Sequence, residues 1–285
     1  MDSGLIRQQA LYDQVCMRAS RMTTRAYSTS FSLGIRCLAR EYRDPIYSIY
    51  GFVRFADEIV DTFHAHDKAV LLKQFADDTW LALKDKISLN PILHSFQRTV
   101  RAYNIDDELI QQFLRSMEWD LTRKEYNQSD FENYVLGSAE VVGLMCLRVF
   151  CKSDTAAYEK LKPSAMSLGA AFQKINFLRD LHADYSTLGR SYFPELHVER
   201  FDDQTKQRIE SGIEKDFEDG FRGIRSLPRG ARLGVYVAYC YYRALFHKIR
   251  QLPAHAVLES RIRVRNRYKI AILGYSYVKH QLNLI

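Results

Sequence analysis

Apolar positions recur at three- and four-residue spacing along nearly the whole chain, and clean alternation is hard to find. That pattern predicts helices over about 5–32 (with a break near 22), 44–63, 67–85, 91–103, 106–123, 130–150, 155–184, 203–226, 230–250 and 258–282. Several carry end signals. Ser129-x-x-Glu132 reads as a capping box ahead of 130–150. Asp106-Asp107-Glu108 puts acid where a helix macrodipole favours it, and Pro91 suits a first turn. Ser186–Pro194 and Leu227-Pro-Arg-Gly230 read as loops. No internal repeat, low-complexity tract or Pro/Ser-rich linker marks a boundary. The expectation is an all-α fold, one domain over 1–285.

Composition agrees with long helices: 13 Gly and 6 Pro in 285 residues is poor in turn formers. Aromatics at 13% are enough to line a large apolar space. No apolar run approaches the ~18 residues of a membrane span; Val141–Leu147 is among the longest. The N-terminus lacks the apolar core of a secretory signal. Five cysteines without C-x-x-C spacing fit free thiols in a reducing cytosol, so a cytoplasmic location is expected. The eight histidines, His64-x-His66 included, lack partners at zinc spacing and read as surface residues. The net charge of +7 admits nucleic acid, anionic lipid or a phosphorylated small molecule as partner, or a merely solvated surface. Its densest stretch is Arg261-x-Arg263-x-Arg265-x-Arg267-Tyr-Lys269. On a helix, alternate positions do not share a face, so this reads as a broadly basic segment for lipid headgroups or phosphate.

Two acidic rows carry the chemistry. Tyr50, Arg54, Asp57 and Asp61 stand at i, i+4, i+7 and i+11, one helix face about 16 Å long. Carboxylates four apart repel on an isolated helix. A divalent cation reverses that sign, since Mg²⁺ takes one or two carboxylates and completes its shell with phosphate oxygens and water. Arg54 would face the same phosphate. One such row is as compatible with a solvated face. The second row shifts the balance: Gln173, Asn176, Asp180 and Asp184 stand at i, i+3, i+7 and i+11, with Arg179 beside them. Asn176 adds a neutral oxygen donor suited to a hard cation. Two such helices suggest a cavity with metal and diphosphate between its walls. Phe31, Tyr134, Leu144, Met145, Phe172, Tyr239, Tyr242 and Phe246 are candidates for its apolar walls, each also explicable as ordinary core.

From about Tyr27 to Arg267 the chain resembles the squalene/phytoene synthase family. The resemblance rests on Tyr27-Ser-Thr-Ser-Phe31, on Tyr50-x-x-x-Arg54-x-x-Asp57-Glu-Ile-Val-Asp61, on Tyr134–Gly143, and on Gln173-x-x-Asn176-x-x-Arg179-Asp180-x-x-x-Asp184 followed by Gly189-Arg-Ser-Tyr-Phe-Pro194. It implies an isoprenoid-synthase helical bundle around a central cavity and head-to-head joining of two prenyl diphosphates. By resemblance, Asp57 and Asp61 hold Mg²⁺ (with Mn²⁺ as a substitute) at one diphosphate, and Asn176, Asp180 and Asp184 at the other. Arg54, Gln173 and Arg179 then contact substrate, as do Tyr27, Ser28, Phe31, Tyr50, Tyr134, Tyr242 and Arg261. One departure is Ala183-Asp184, where the family often has Glu-Asp; it removes one carboxylate from that wall.

Among family products the residues look most like a bacterial phytoene synthase, joining two geranylgeranyl diphosphates. Dehydrosqualene or squalene from two farnesyl diphosphates is the alternative. No G-x-G-x-x-G follows a strand and no C-terminal anchor is seen, so NADPH is not expected. Chain-elongating enzymes and cyclases normally show D-D-x-x-D, which the pairs at Asp77, Asp106 and Asp202 lack. A non-catalytic helical adaptor would be expected to have lost the acid rows. Nucleic-acid binding would need a denser basic face than 261–269 offers, and is not expected. The apolar product suggests peripheral contact with the inner membrane face through the basic C-terminal segment. The oligomeric state is not readable.

Overall fold

The computed structural model describes residues 3–152, 154–188, 192–194, 201–259 and 261–285, the side chains at 3–6, 183–188 and 266 excepted. Its elements are α1 (Ser3–Tyr27), α2 (Thr29–Arg36), α3 (Arg40–Asp61), α4 (Lys68–Asp85), α5 (Pro91–Tyr103), α6 (Asp107–Thr122) and α7 (Gln128–Val135). A π turn (Leu136–Glu140) leads into α8 (Val141–Cys151), then α9 (Thr155–Leu188), α10 (Asp203–Ser226), α11 (Arg229–Arg250), α12 (Ala254–Val257) and α13 (Asn266–Gln281). No strand occurs among the described residues, as the periodicity predicts.

Four local expectations need correction. The first break falls at Ser28, not near 22: Ser28 leaves helical geometry (φ −141°, ψ 107°) and accepts the Phe31 N–H at 3.1 Å, capping α2. Helix α3 starts at Arg40, four residues before the predicted 44, and carries Pro45 inside, near its start. Asn127, not Ser129, caps α7 by accepting the Asp130 N–H at 2.8 Å, while Glu132 accepts from Gln128. The helix predicted over 258–282 begins only at Asn266. Ahead of it the chain is non-helical, with Ile262 buried and Arg261, Arg263 and Arg265 exposed. The i, i+2 arginine spacing, awkward on a helix, suits an extended segment with alternate side chains outward.

Phe52 of α3 stacks on Phe96 at 3.9 Å and meets Phe113 at 5.4 Å, joining α3, α5 and α6 in one core. Burying one such ring contributes roughly 1.5–3 kcal/mol. A second core joins α7, α9, α10 and α11 around Phe177, Phe217 and Phe246. Helices come very close where side chains vanish. A Cβ on Gly137 would stand 2.8 Å from the Gln112 carbonyl, and one on Gly223 would stand 2.4 Å from the Ser164 Cβ, so α10 lies directly on α9.

Gln128–Cys151 is, by length and composition, apolar enough to cross a membrane, which the run-by-run reading overlooks. Its most apolar stretch is 56% buried, and it packs on α6 and α9 as a core helix does. His94 also departs from the surface reading. It is buried, its Nε2 lies 2.8 Å from an Asp13 carboxylate oxygen, its Nδ1 accepts the Ser88 N–H at 3.3 Å, and burial lowers its pKa. The histidine ties α5 to α1 as a structural link. All five cysteines are free thiols.

Candidate active site

A cavity of about 710 Å³ runs between α2, α3, α9 and α11. Helix α9 lines it from Leu161 to Asp180, about 28 Å along the helix at 1.5 Å per residue. One stretch is apolar and rich in small residues: Leu161, Ala165, Leu168, Gly220, Gly223 and Ile224. Burial there lifts the Cys146 thiol to about 12, the signature of a low-dielectric wall. The other stretch holds both acidic rows: Tyr50, Arg54, Asp57 and Asp61 from α3, and Gln173, Asn176, Arg179 and Asp180 from α9.

On α3, Arg54 Nη1 stands 3.9 Å from Asp57, while its other end pairs with Glu58 and its guanidinium lies 4.5 Å from the Tyr27 ring centre. Arg54 Nε is buried with no hydrogen-bond partner. Asp57 is pushed up to about 7, chiefly by desolvation, then by the charge of Asp61, with Arg54 acting in the opposite sense. Its side chain is 33% exposed, so the surroundings that desolvate it are the cavity walls. Asp61 ends α3, is exposed, and stands at the cavity rim.

On α9, the polar row is bonded along its length. Gln173 Nε2 donates to Ser138 Oγ at 3.2 Å, Asn176 Nδ2 donates to Gln173 Oε1 at 3.4 Å, and the Tyr242 hydroxyl donates to Asn176 Oδ1 at 3.2 Å. Asp180 accepts from Arg179 Nε at 3.0 Å and Nη2 at 2.5 Å, and pairs with Arg261 Nε at 2.7 Å. Burial works against the Arg179 charge, yet the bonds and charge of Asp180 raise its pKa above the ordinary value. Tyr242 stacks on Phe172 at 4.0 Å, and burial pushes its hydroxyl up to about 12. Phe31 bridges the rows, 5.7 Å from Tyr50 and 6.1 Å from Tyr242. Tyr27, Ser28, Tyr134 and Arg261 also line the space.

The structure thus brings Tyr27, Ser28, Phe31, Tyr50, Arg54, Asp57, Asp61, Tyr134, Gln173, Asn176, Arg179, Asp180, Tyr242 and Arg261 to one cavity. The side chains of Asp184 and Ala183, and Gly189, Arg190 and Ser191, lie outside the described residues. Of the aromatic and apolar wall candidates, Phe31, Tyr134, Phe172 and Tyr242 line the cavity. Leu144, Met145 and Phe246 are buried core instead, and Tyr239 packs on Phe217 and Phe221. Asp120 of α6 is a site residue that the sequence spacing does not single out. It is buried in the cavity wall, accepts the Tyr134 hydroxyl at 2.8 Å to each oxygen, and accepts Tyr192 at 3.3 Å. A lone acid inside an amphipathic helix gives no spacing signal.

The squalene/phytoene synthase family model matches residues 24–268, most of the chain and both acidic rows. The chain belongs to the squalene/phytoene synthase family. Members of that family are prenyltransferases, and this protein is an enzyme of that class. It is 26% identical to the 15-cis-phytoene synthase of Synechocystis sp. across 92% of this chain and 84% of that protein. It is 28% identical to the presqualene diphosphate synthase of Rhodopseudomonas palustris across 59% of each chain. A crystallised dehydrosqualene synthase superposes with a TM-score of 0.82, at 21% identity, over 94% of this chain and 98% of that one.

In this family member the donors facing the cavity fit a hard divalent cation. They are carboxylate and amide oxygens, and the raised pKa of Asp57 reports a carboxylate pair short of positive charge. Among the described residues no three acidic, histidine or cysteine side chains converge into a cage. The set instead suits Mg²⁺, which takes few protein ligands and completes its octahedron with phosphate and water.

Tyr134→Phe removes both 2.8 Å contacts to a buried carboxylate. The expected loss of stability is about 1–3 kcal/mol, read as a lower urea midpoint at unchanged slope. An unshifted midpoint would show that Asp120 does not depend on this phenol.

Proposed function

We propose that this protein joins two geranylgeranyl diphosphates head to head to give phytoene. The observation that carries this reading is the pair of acid- and arginine-bearing rows lining one long apolar cavity. Two farnesyl diphosphates giving dehydrosqualene is the second reading, favoured by the structural likeness to a dehydrosqualene synthase.

The polar stretch of the cavity receives the two diphosphates. Asp57 and Asp61 on one wall and Asn176 and Asp180 on the other, together with Asp184 four residues further along α9, would hold Mg²⁺. When bound, Mg²⁺ supplies the positive charge that turns diphosphate into a leaving group. Arg54, Arg179 and Arg261 add fixed positive charge at the same place. Asp180 releases arginine hydrogen bonds to the incoming phosphate, which guanidinium grips bidentately. The departing diphosphate leaves an allylic cation. The faces of Phe31, Tyr50, Phe172 and Tyr242 stabilise it by about 0.5–2 kcal/mol each. The double bond of the second substrate attacks, one proton leaves, and a cyclopropyl diphosphate forms. Loss of its diphosphate, rearrangement and departure of a second proton give the hydrocarbon. The apolar walls keep out water, which would quench each cation to an alcohol. Nothing in this sequence consumes a hydride, so NADPH is not needed.

A location at the inner face of the membrane, on its cytoplasmic side, fits the same reading. Helix α13 exposes Tyr268, Ile270, Tyr277 and Val278 beside Arg267 and Lys269. Lys269 Nζ donates to Thr29 Oγ1 at 2.9 Å, which sets this surface beside Tyr27 and Ser28 at the cavity. Apolar and basic groups together suit a lipid surface.

The test incubates purified protein with geranylgeranyl or farnesyl diphosphate, with Mg²⁺ or EDTA, with and without NADPH, and identifies the hydrocarbon by mass spectrometry. Phytoene from geranylgeranyl diphosphate is expected, lost in EDTA and indifferent to NADPH. Dehydrosqualene alone transfers the assignment to farnesyl diphosphate. No hydrocarbon from either would defeat the proposal.

A further inference from the structure

A second cavity, of about 260 Å³, lies where α1, α2 and α3 meet. Five arginines line it: Arg21, Arg25, Arg36, Arg40 and Arg43. Its single carboxylate is Asp44, bound to Arg21 at 2.5 Å. Arg43 is committed to the Leu38 carbonyl at 2.8 Å. Among the described residues no carboxylate pairs with Arg25, Arg36 or Arg40. Arg21 Nε is buried there with no hydrogen-bond partner. Arg40 and Arg43 belong to the first turn of α3, whose cap residue Ala39 offers no side-chain acceptor, so the positive end of that helix adds to the field.

Asp44 balances one of the five guanidinium charges, and the remaining four repel one another unless a further anion sits among them. Three separate helices contribute, so the cluster is not the solvated face of one helix. Its volume falls just under the range of drug-sized sites and suits a compact oxyanion. Guanidinium forks match phosphate oxygens two at a time.

We propose that this cavity binds a phosphoryl anion, at a site separate from the catalytic cavity. The shared chemistry is a tetrahedral phosphate carrying two or more charges, whether free in solution or as a lipid headgroup. Bound there, it ties α1 and α3 to the end of α2, whose other residues, Phe31 and Gly34 among them, line the catalytic cavity.

The test measures binding to the full chain in EDTA by calorimetry and thermal melting. The probes are inorganic phosphate and diphosphate at ionic strength matched with chloride, and phosphatidylcholine vesicles with or without phosphatidic acid. R36Q/R40Q and R25Q/R36Q are compared with wild type, with R261Q as the control in the catalytic cavity. Both double variants remove exposed side chains and should fold, checked by circular dichroism. At least about a tenfold weaker binding is expected in both double variants, and no such loss at this site in R261Q. Loss confined to phosphate and diphosphate identifies a soluble ligand, and loss confined to phosphatidic acid vesicles a lipid; either supports the site. Wild type that binds neither the soluble anions nor the phosphatidic acid vesicles, or double variants that bind all of them as wild type does, would overturn it. Hydrocarbon synthesis by R36Q/R40Q in phosphate-free buffer should match wild type, so the result stands apart from the proposed reaction.

Discussion

Asp57→Asn is expected to lower hydrocarbon formation at least about a hundredfold while making the ligand-free protein more heat-stable at neutral pH. Both effects come from one feature. Desolvation and the neighbouring Asp61 push the Asp57 carboxyl from 3.8 to about 7. The folded chain therefore holds a proton at Asp57 between about pH 4 and 7 that the unfolded chain has released. A raised carboxyl pKa means that stability is fully present below the unfolded value and is lost as pH rises through the folded one. Wild type should lose stability across that window, and Asp57→Asn should not. In metal-free melts the variant's advantage should thus grow from pH 4 to pH 8. An advantage that shrinks over that range would contradict the burial argument, and near-wild-type turnover would remove Asp57 from the proposed site. Asp180 stands in contrast. It is held by Arg179 and Arg261, so Asp180→Asn strands two guanidinium groups and should lose stability along with turnover.

These opposite signs show what spacing reveals and what it leaves hidden. The i, i+4, i+7, i+11 pattern of the first row and the i, i+3, i+7, i+11 pattern of the second place each on a single helix face, and the structure turns Tyr50 to Asp61 and Gln173 to Asp180 toward one cavity. Spacing says nothing of how each acid is neutralised. Asp57 lacks a close cation because Arg54 is drawn to Glu58 and Tyr27. Asp180 gains one from Arg261, 81 positions away. Arg261 reaches it from a non-helical segment, and helical periodicity there misled because Ile262 and Val264 alternate with arginines rather than following a 3.6-residue turn. Asp120 was invisible for a similar reason: its partners, Tyr134 and Tyr192, come from other elements. Apolar side chains give the reverse error. Met145 and Phe246 have the composition of a tunnel wall but sit on helix faces turned into the core, and a helix touching both a cavity and a core is apolar on either side.

Ala165→Phe should decide how long a prenyl chain the cavity takes. Ala165 lines the apolar stretch, four turns of α9 before Asp180. Opposite it stand Gly143, whose added Cβ would lie 3.0 Å from the Ala165 carbonyl, and the glycine-bearing face of α10. The wall is therefore already close to van der Waals contact on one side, and a phenyl ring has only the cavity to occupy. A chain whose tail passes Ala165 is then excluded, while a tail ending short of it keeps its contacts. Under the proposed reaction, geranylgeranyl diphosphate should lose at least about a hundredfold in kcat/KM, because rejecting a terminal isoprene unit forfeits several methylene contacts at about 0.8 kcal/mol each. Farnesyl diphosphate should change only a few-fold. Competition between the two substrates, with products separated by mass, reads both values in one vessel. Unchanged values for both would mean that neither tail reaches this stretch. The apolar run from Leu161 to Leu168 would then be core lining, and the cavity near Asp57 and Asp180 would have to seat a far shorter chain.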